Sequence, residues 1–365
     1  MAEYLFTFFV LLVISAVAYL AYEHFLRPTA KTGSELYQEA LRDLLDGRQE
    51  KAFSKLRQVI AEDSGNIDAY LRLGKILRDN KKPDKALQVH KDLTLRTGLS
   101  SHEKVEVLEQ LYADFFELGE FDQAQAALKE LISVDPRDRR AHINLLKLQE
   151  KAGHWDEAYD SAVKILKLEG NKSKKPLAGY KFHMAEELYK KREYHKARIL
   201  FKEALGLDPT CVQAYLMIGD SYLEEKRFED AVNFFNKLID AVPDQGHLVI
   251  ERLKKTLFTL GRFGDIVDIC ENILKHSPKN LEARLTLAEF YDKKGDTTAA
   301  EQMLAEIVEE TPENTKAVCE LIRLYLARDD KKKIKELIRD IEHRREKMKS
   351  ASVSKIVDTS LIGIR

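Results

Sequence analysis

Between Val212 and Asp244 the chain reads VQAYLMIGDSYLEEKRFEDAVNFFNKLIDAVPD, with apolar, small and breaking residues at Tyr215, Ile218, Gly219, Tyr222, Ala231, Phe235, Leu238 and Pro243. Counted from Val212, these are positions 4, 7, 8, 11, 20, 24, 27 and 32 of a unit of 34 residues. Positions 4, 7 and 11 fall on one face of a helix and form its buried stripe. Position 8 must be small for a second helix to cross there, position 20 is the matching small residue on that helix, and the proline ends it. Such a unit constrains the fold strongly, because each helix pair leaves an apolar face that only the next pair can bury.

The spacing returns at Ile67 (Tyr70, Leu73, Gly74, Leu77, Ala86), Val105 (Leu108, Leu111, Phe115, Gly119, Ala124, Leu128, Pro136) and Arg139 (Leu145, Gly153, Ala158, Ala162). It returns again at Ala178 (Met184, Ala185, Leu188, Ala197, Phe201, Ala204, Pro209), His247 (Ile250, Leu253, Leu257, Gly261, Cys270, Pro278) and Leu281 (Leu287, Ala288, Tyr291, Gly295, Ala300, Leu304, Pro312). Weaker copies begin near Gly33 and Thr315. Starts lie 34 residues apart except from 67 to 105, 139 to 178 and 212 to 247, where stretches such as RTGLSS and EGNKSKKP lengthen the loops. The pattern resembles the tetratricopeptide repeat. It predicts an all-α superhelical solenoid of about nine helix pairs over residues 32–343, with a long concave surface suited to binding proteins.

The amino terminus is of another kind. YLFTFFVLLVISAVAYLAY, Tyr4 to Tyr22, is nineteen residues without a charge in a chain that is 33% charged. At about 1.5 Å per helical residue it reaches about 28 Å, close to the hydrocarbon thickness of a bilayer. Eleven of its residues are Leu, Ile, Phe or Val, which together favour insertion by about 3–7 kcal/mol. Ala16-Val17-Ala18 has the small-x-small form of a signal-peptide cleavage site. However, the preceding Met1-Ala2-Glu3 lacks the basic residues of a secretory leader, and the apolar run continues past that site. The reading is an uncleaved transmembrane helix, with the exported, cleaved form as its alternative. Arg27 and Lys31 follow the span and no basic side chain precedes it, which places the repeats in the cytoplasm. Three segments result: anchor and short linker over 1–31, repeats over 32–343, and a basic tail over 344–365.

Sixty basic and 61 acidic residues leave no basic excess for nucleic acid, and 16 glycines and 8 prolines favour long helices. Cys211, Cys270 and Cys319 are too scattered for a disulfide framework or a zinc site and read as reduced thiols. Cys270 takes a core position of its repeat, whereas Cys319 is expected to be partly exposed. None of the ten histidines stands in a metal-binding pattern, and HMAEE at His183–Glu187 reads as a solvated helix face. Phosphate-cradling glycine loops and nucleophile elbows are missing too, so the expectation is a binding protein without catalytic residue, metal or cofactor. First-helix positions 2, 5, 9 and 12 should face the concave side, which selects Lys75, Arg78, Phe116, Lys147, Phe182, Tyr189 and Phe258 as candidate partner-binding residues. Simple coverage of neighbouring helices is the competing role for these side chains.

An anchor followed by such an array, together with EDSGNIDAYLRLGKILRDNKKPDKALQVHKDL (Glu62 to Leu93) and EQLYADFFELGEFDQAQAALKEL (Glu109 to Leu131), resembles the lipopolysaccharide assembly protein B family. Leu73-Gly74, Arg78, Asp84, Ala86 and His90 look like that family's second repeat, and neither Arg78 nor His90 is demanded by the generic repeat pattern. The likeness is most specific up to about residue 240. Members of the family typically end in a rubredoxin-like module with two Cys-x-x-Cys pairs, whereas RDIEHRREKMKSASVSKIVDTSLIGIR at this carboxyl end holds no cysteine. Arg344, Arg345, Lys347 and Lys349 there read as a solvated helix end. The resemblance implies an adaptor that presents the committed-step deacetylase of lipopolysaccharide synthesis to a membrane AAA+ protease. A scaffold for another envelope assembly is the alternative.

Overall fold

The structure is a computed structural model that describes residues 2–21 and 32–343, side chains being described for 7–20 and 32–343. The linker and the basic tail expected from the sequence lie outside the described residues. Helix α1 covers Ala2–Ala21. Among residues whose side chains are described, no helix is long and apolar enough to cross a membrane.

From Gly33 onward the chain is a succession of helices: α2 Gly33–Leu45, α3 Gln49–Glu62, α4 Ile67–Asp79, α5 Pro83–Thr94, α6 Ser101–Leu118, α7 Phe121–Val134, α8 Arg139–Ala152 and α9 Trp155–Leu168. There follow α10 Ala178–Lys190, α11 Tyr194–Leu207, α12 Val212–Glu224, α13 Phe228–Ala241, α14 Ile250–Thr259, α15 Ile266–His276, α16 Leu281–Lys294, α17 Thr297–Glu310, α18 Thr315–Ala327 and α19 over 331–343. No strand occurs among the described residues. Two compact units are present. One holds the residues up to His154 with Lys167–Gly170, the other holds Trp155–Leu166 and the residues from Asn171 on.

First helices begin at Gly33, Ile67, Arg139, Ala178, Val212, Leu281 and Thr315, the starts expected from the repeat. Two differ. Helix α6 starts early, at Ser101, because Ser100 and Glu103 form a reciprocal capping box inside the lengthened loop. The repeat at His247 opens as a 3-10 turn over Pro243–Val249 before α14 begins at Ile250.

The repeat also fixes its own punctuation. Asn66, Asp138, Asn280 and Asn314 stand one residue before their first helices, and each side chain accepts the backbone N–H three residues on, at 2.8–3.1 Å. At the other end of each first helix, position 15 takes the left-handed conformation. Glycine serves at Gly47, Gly119, Gly153, Gly261 and Gly295, but Lys81, Arg192, Lys226 and Asp329 adopt it too, with φ between 52° and 61°. The following N–H then donates to the carbonyl five residues back, as in Lys82 to Leu77 at 2.9 Å and Arg227 to Tyr222 at 2.8 Å, which closes the helix in a Schellman turn.

In the five pairs with a small residue at position 8 (Ala40, Gly74, Ala185, Gly219 and Ala288), the residue facing it is at position 24, rather than the small residue at position 20. A Cβ on Gly219 would lie 2.2 Å from the Phe235 ring, and one on Gly74 would lie 2.2 Å from His90. Other repeats place Leu56, Phe201 and Leu304 there, opposite Ala40, Ala185 and Ala288, all buried. The position-20 alanines Ala52, Ala86, Ala124, Ala158, Ala197, Ala231 and Ala300 are fully buried, which lets the two helices close up.

Candidate partner-binding faces

In the first unit the candidates Lys75, Arg78, Phe116 and Lys147 lie on the first helices α4, α6 and α8. Arg78 is engaged within the protein. Its guanidinium donates to Asp114 Oδ1 at 2.7 Å and to Gln110 Oε1 at 2.7 Å, both on α6, and its side chain is 13% exposed. Asp114 is fully buried and also meets the Nδ1 edge of His90, whose Nε2 lies 3.3 Å from the Leu71 carbonyl. Thus His90, the polar residue that fills the space over Gly74, is held by a buried carboxylate that Arg78 neutralises. The geometry makes Arg78 a tie between successive repeats, and the family-like residues Gly74, Arg78 and His90 form one network.

Lys75 and Lys147 are exposed. Phe116 is 42% exposed and lies between Tyr112, at 6.0 Å, and Phe121, at 5.8 Å and edge-on. The Lys151 ammonium sits 3.9 Å from the Phe121 ring centre and 5.8 Å from that of Phe116, so α8 reaches across to this aromatic group. Toward the start of α6, burial pushes the Glu109 carboxyl above its ordinary value although Arg140 is near.

In the second unit Phe182 is half-buried, against Phe201 at 5.4 Å and His183 at 5.7 Å. His183, expected on a solvated face, keeps a side chain 42% exposed, and its ring also stacks on Trp155 at 4.3 Å, with Glu186 at 3.4 Å from Nδ1. Tyr189 is half-buried and edge-on to Tyr194 at 5.1 Å. Burial, helped by the charges of Asp220 and Glu224, pushes its phenol up to about 12. Phe258 is 75% exposed, the most open of the aromatic candidates, and begins an aromatic run through Phe263 at 6.5 Å to Phe290 at 6.0 Å.

Three of these contacts share one construction. Phe116–Phe121, Tyr189–Tyr194 and Phe258–Phe263 are edge-on pairs between positions 12 and 17, across the left-handed residue of the turn. An aromatic residue five places after position 12 was the sequence signal for Phe121, Tyr194 and Phe263. Asp114 and Lys151 had no such signal, because both act across repeats. Among the described residues no group of three or more His, Cys, Asp and Glu side chains could hold a metal ion. Cys270 is buried, with its thiol pushed up to about 12 by that burial, and Cys319 is exposed.

Tetratricopeptide-repeat family models match residues 114–167, 182–246 and 257–318. Lipopolysaccharide assembly protein B of Escherichia coli K12 is 22% identical over 278 residues, which cover 76% of this chain and 71% of the relative. The protein of that name from Haemophilus influenzae is 26% identical over 254 residues, covering 69% of this chain and 63% of the relative. This is a tetratricopeptide-repeat protein similar to lipopolysaccharide assembly protein B. A solved structure of Naa15/Naa10 bound to HypK-THB shares 16% identity with a TM-score of 0.47, over 80% of this chain and 44% of that one. Of the candidates on the first helices, Lys75, Phe116, Lys147 and Phe258 are exposed.

Proposed function

We propose that this chain is a non-enzymatic adaptor of lipopolysaccharide assembly, anchored by α1 in the bacterial inner membrane with its repeats on the cytoplasmic side. The reading rests on the similarity to lipopolysaccharide assembly protein B, which runs through most of both chains rather than through one repeat. On this reading α1, twenty residues and so about 30 Å long, is the span. Arg27 and Lys31 beyond it set the orientation. The anchor raises the concentration of the repeats beside membrane-embedded partners without adding a contact of its own. Those partners are a membrane AAA+ protease and the deacetylase that commits precursors to lipopolysaccharide synthesis, the adaptor presenting the second to the first.

Cross-linking of the full chain in membranes, followed by identification of the captured proteins, tests the assignment. Capture of the protease and the deacetylase is the expected result. Capture of other envelope proteins alone would transfer the adaptor to a different assembly. Protease digestion of the repeats from the outer side of the membrane would overturn the orientation. A chain beginning at Gly33 should fold and stay soluble, yet fail to support function at native abundance.

A further inference from the structure

The two units treat the charges on their first-helix rows differently. In the second unit they are paired from one repeat to the next. Arg252 grips Asp220 with two bonds, at 2.7 and 3.1 Å, Lys254 reaches Glu289 at 2.6 Å, and Arg323 reaches Asp292 at 2.6 Å. In the first unit Asp114 is used by Arg78 and His90, and Asp68 by Arg72. Lys75, Lys147 and Lys151 are exposed, and among the described residues none has a carboxylate oxygen within ion-pair distance.

One of these cations, Lys151, lies against an exposed apolar surface. Lys75 lies one turn before Arg78 on α4, and Arg78 is bound on α6 to Asp114, two residues before Phe116. Lys147 lies one turn before Lys151 on α8, and Lys151 covers Phe116 and Phe121. The opposite end of the same helices is acidic, with Glu106, Glu109 and Asp138 beside Arg140. The face is therefore polar along its length. A ligand with unpaired carboxylates gains at the lysine end and is repelled at the other, which selects both charge and position.

Resting on the adaptor reading, we propose that the α4–α6–α8 face of the first unit binds an extended acidic peptide segment carrying a large apolar side chain. Its carboxylates pair with Lys75, Lys147 and Lys151, and its apolar side chain lies on Phe116 and Phe121. Exposed aromatic rings on a face that also carries exposed lysines supply the anchor and the charge pairing that such a segment needs.

The test is fluorescence anisotropy of the full chain in detergent micelles with three labelled synthetic peptides: one alternating Glu and Phe, one with Lys in place of Glu, and one with Ala in place of Phe. The Glu/Phe probe should bind at least about tenfold more tightly than either of the others, a difference of about 1.4 kcal/mol. The K147E/K151E variant should lose about tenfold for that probe and gain for the Lys/Phe probe. Phe116→Ala should weaken it without altering the charge preference, and Lys255→Glu in the second unit should leave it unchanged. Far-UV circular dichroism checks that each variant is folded. Equal binding of the Glu and Lys probes, no binding of the Glu/Phe probe, or unchanged affinity in K147E/K151E overturns the inference. Cross-linking in membranes separates the two claims. Undiminished capture of partners by K147E/K151E sinks the peptide site and spares the adaptor, whereas no capture by the native chain sinks the adaptor itself.

Discussion

Arg78 was expected at the groove and is found tied to α6, and substitution of Arg78 by Met separates those two roles. Methionine keeps most of the aliphatic stem and removes the charge. The Asp114 carboxylate, fully buried, would then lose a donor at 2.7 Å and retain His90 alone. Breaking a buried pair by removing one partner costs about 3–5 kcal/mol. Since the Arg78 side chain is 13% exposed, water reaches the gap, and about 3 kcal/mol is the appropriate end of that range. For a body of this size that lowers the melting temperature by about 6–12 °C. Hydrogen exchange on the full chain should show the loss concentrated in α4, α5 and α6, because openings in such arrays are local. Adding Asp114→Asn removes the stranded charge and should recover part of the loss, with a coupling energy of about 0.5–3 kcal/mol. Unchanged exchange in those helices, together with lost partner binding, would refute this reasoning and return Arg78 to the groove.

Lys81→Gly and Lys226→Gly relieve side chains held at φ 58° and should each raise stability by about 1 kcal/mol in urea unfolding. Gly119→Ala, at φ 76°, should lower it by a similar amount. Gly219→Leu drives a side chain into the fully buried Phe235 ring and should cost about 1–3 kcal/mol, read by the same assay. With its thiol pushed up to about 12 by burial, Cys270 stays protonated near pH 8, so maleimide should label exposed Cys319 in the folded chain and reach Cys270 only after unfolding. Burial raises the Glu289 carboxyl, but hydrogen bonds from Lys254 and Lys293 outweigh it and leave the group below its ordinary 4.5. Its contribution is therefore present above that pH and lost as pH falls through the lowered value, which exchange in α14 and α16 measured against pH would report.

Helix pairing and nearly every helix start could be read from the residues, because the stripe at positions 4, 7 and 11 and the proline at 32 act within a single repeat. Ser100 shifted α6 by a local cap that competes with the repeat register. The candidate face was less legible. Position numbers placed Lys75, Phe116, Lys147 and Phe258 on exposed first-helix surfaces. They could not reveal that Arg78 would be taken up by a carboxylate 36 residues away, or that Lys151 would cross to Phe121. Those pairings depend on side-chain reach between repeats, which a pattern of apolar positions does not encode. Trp155 against His183 belongs with them, as two residues in different repeats that meet only when the helices stack.

The side-chain bonds that join one repeat to the next have a short reach in sequence: 32 residues from Arg252 to Asp220, 35 from Lys254 to Glu289, 36 from Arg78 to Asp114. A chain leaving the ribosome at about 5–20 residues per second supplies one 34-residue repeat in about 2–7 s, far longer than the microsecond in which a helix forms. Each pair can therefore close on its predecessor before the following pair has been made, and the nascent protein never has to hold more than about one unburied apolar face at a time. With the hydrophobic segment synthesised before the repeats, assembly would proceed outward from it, repeat by repeat, in step with translation.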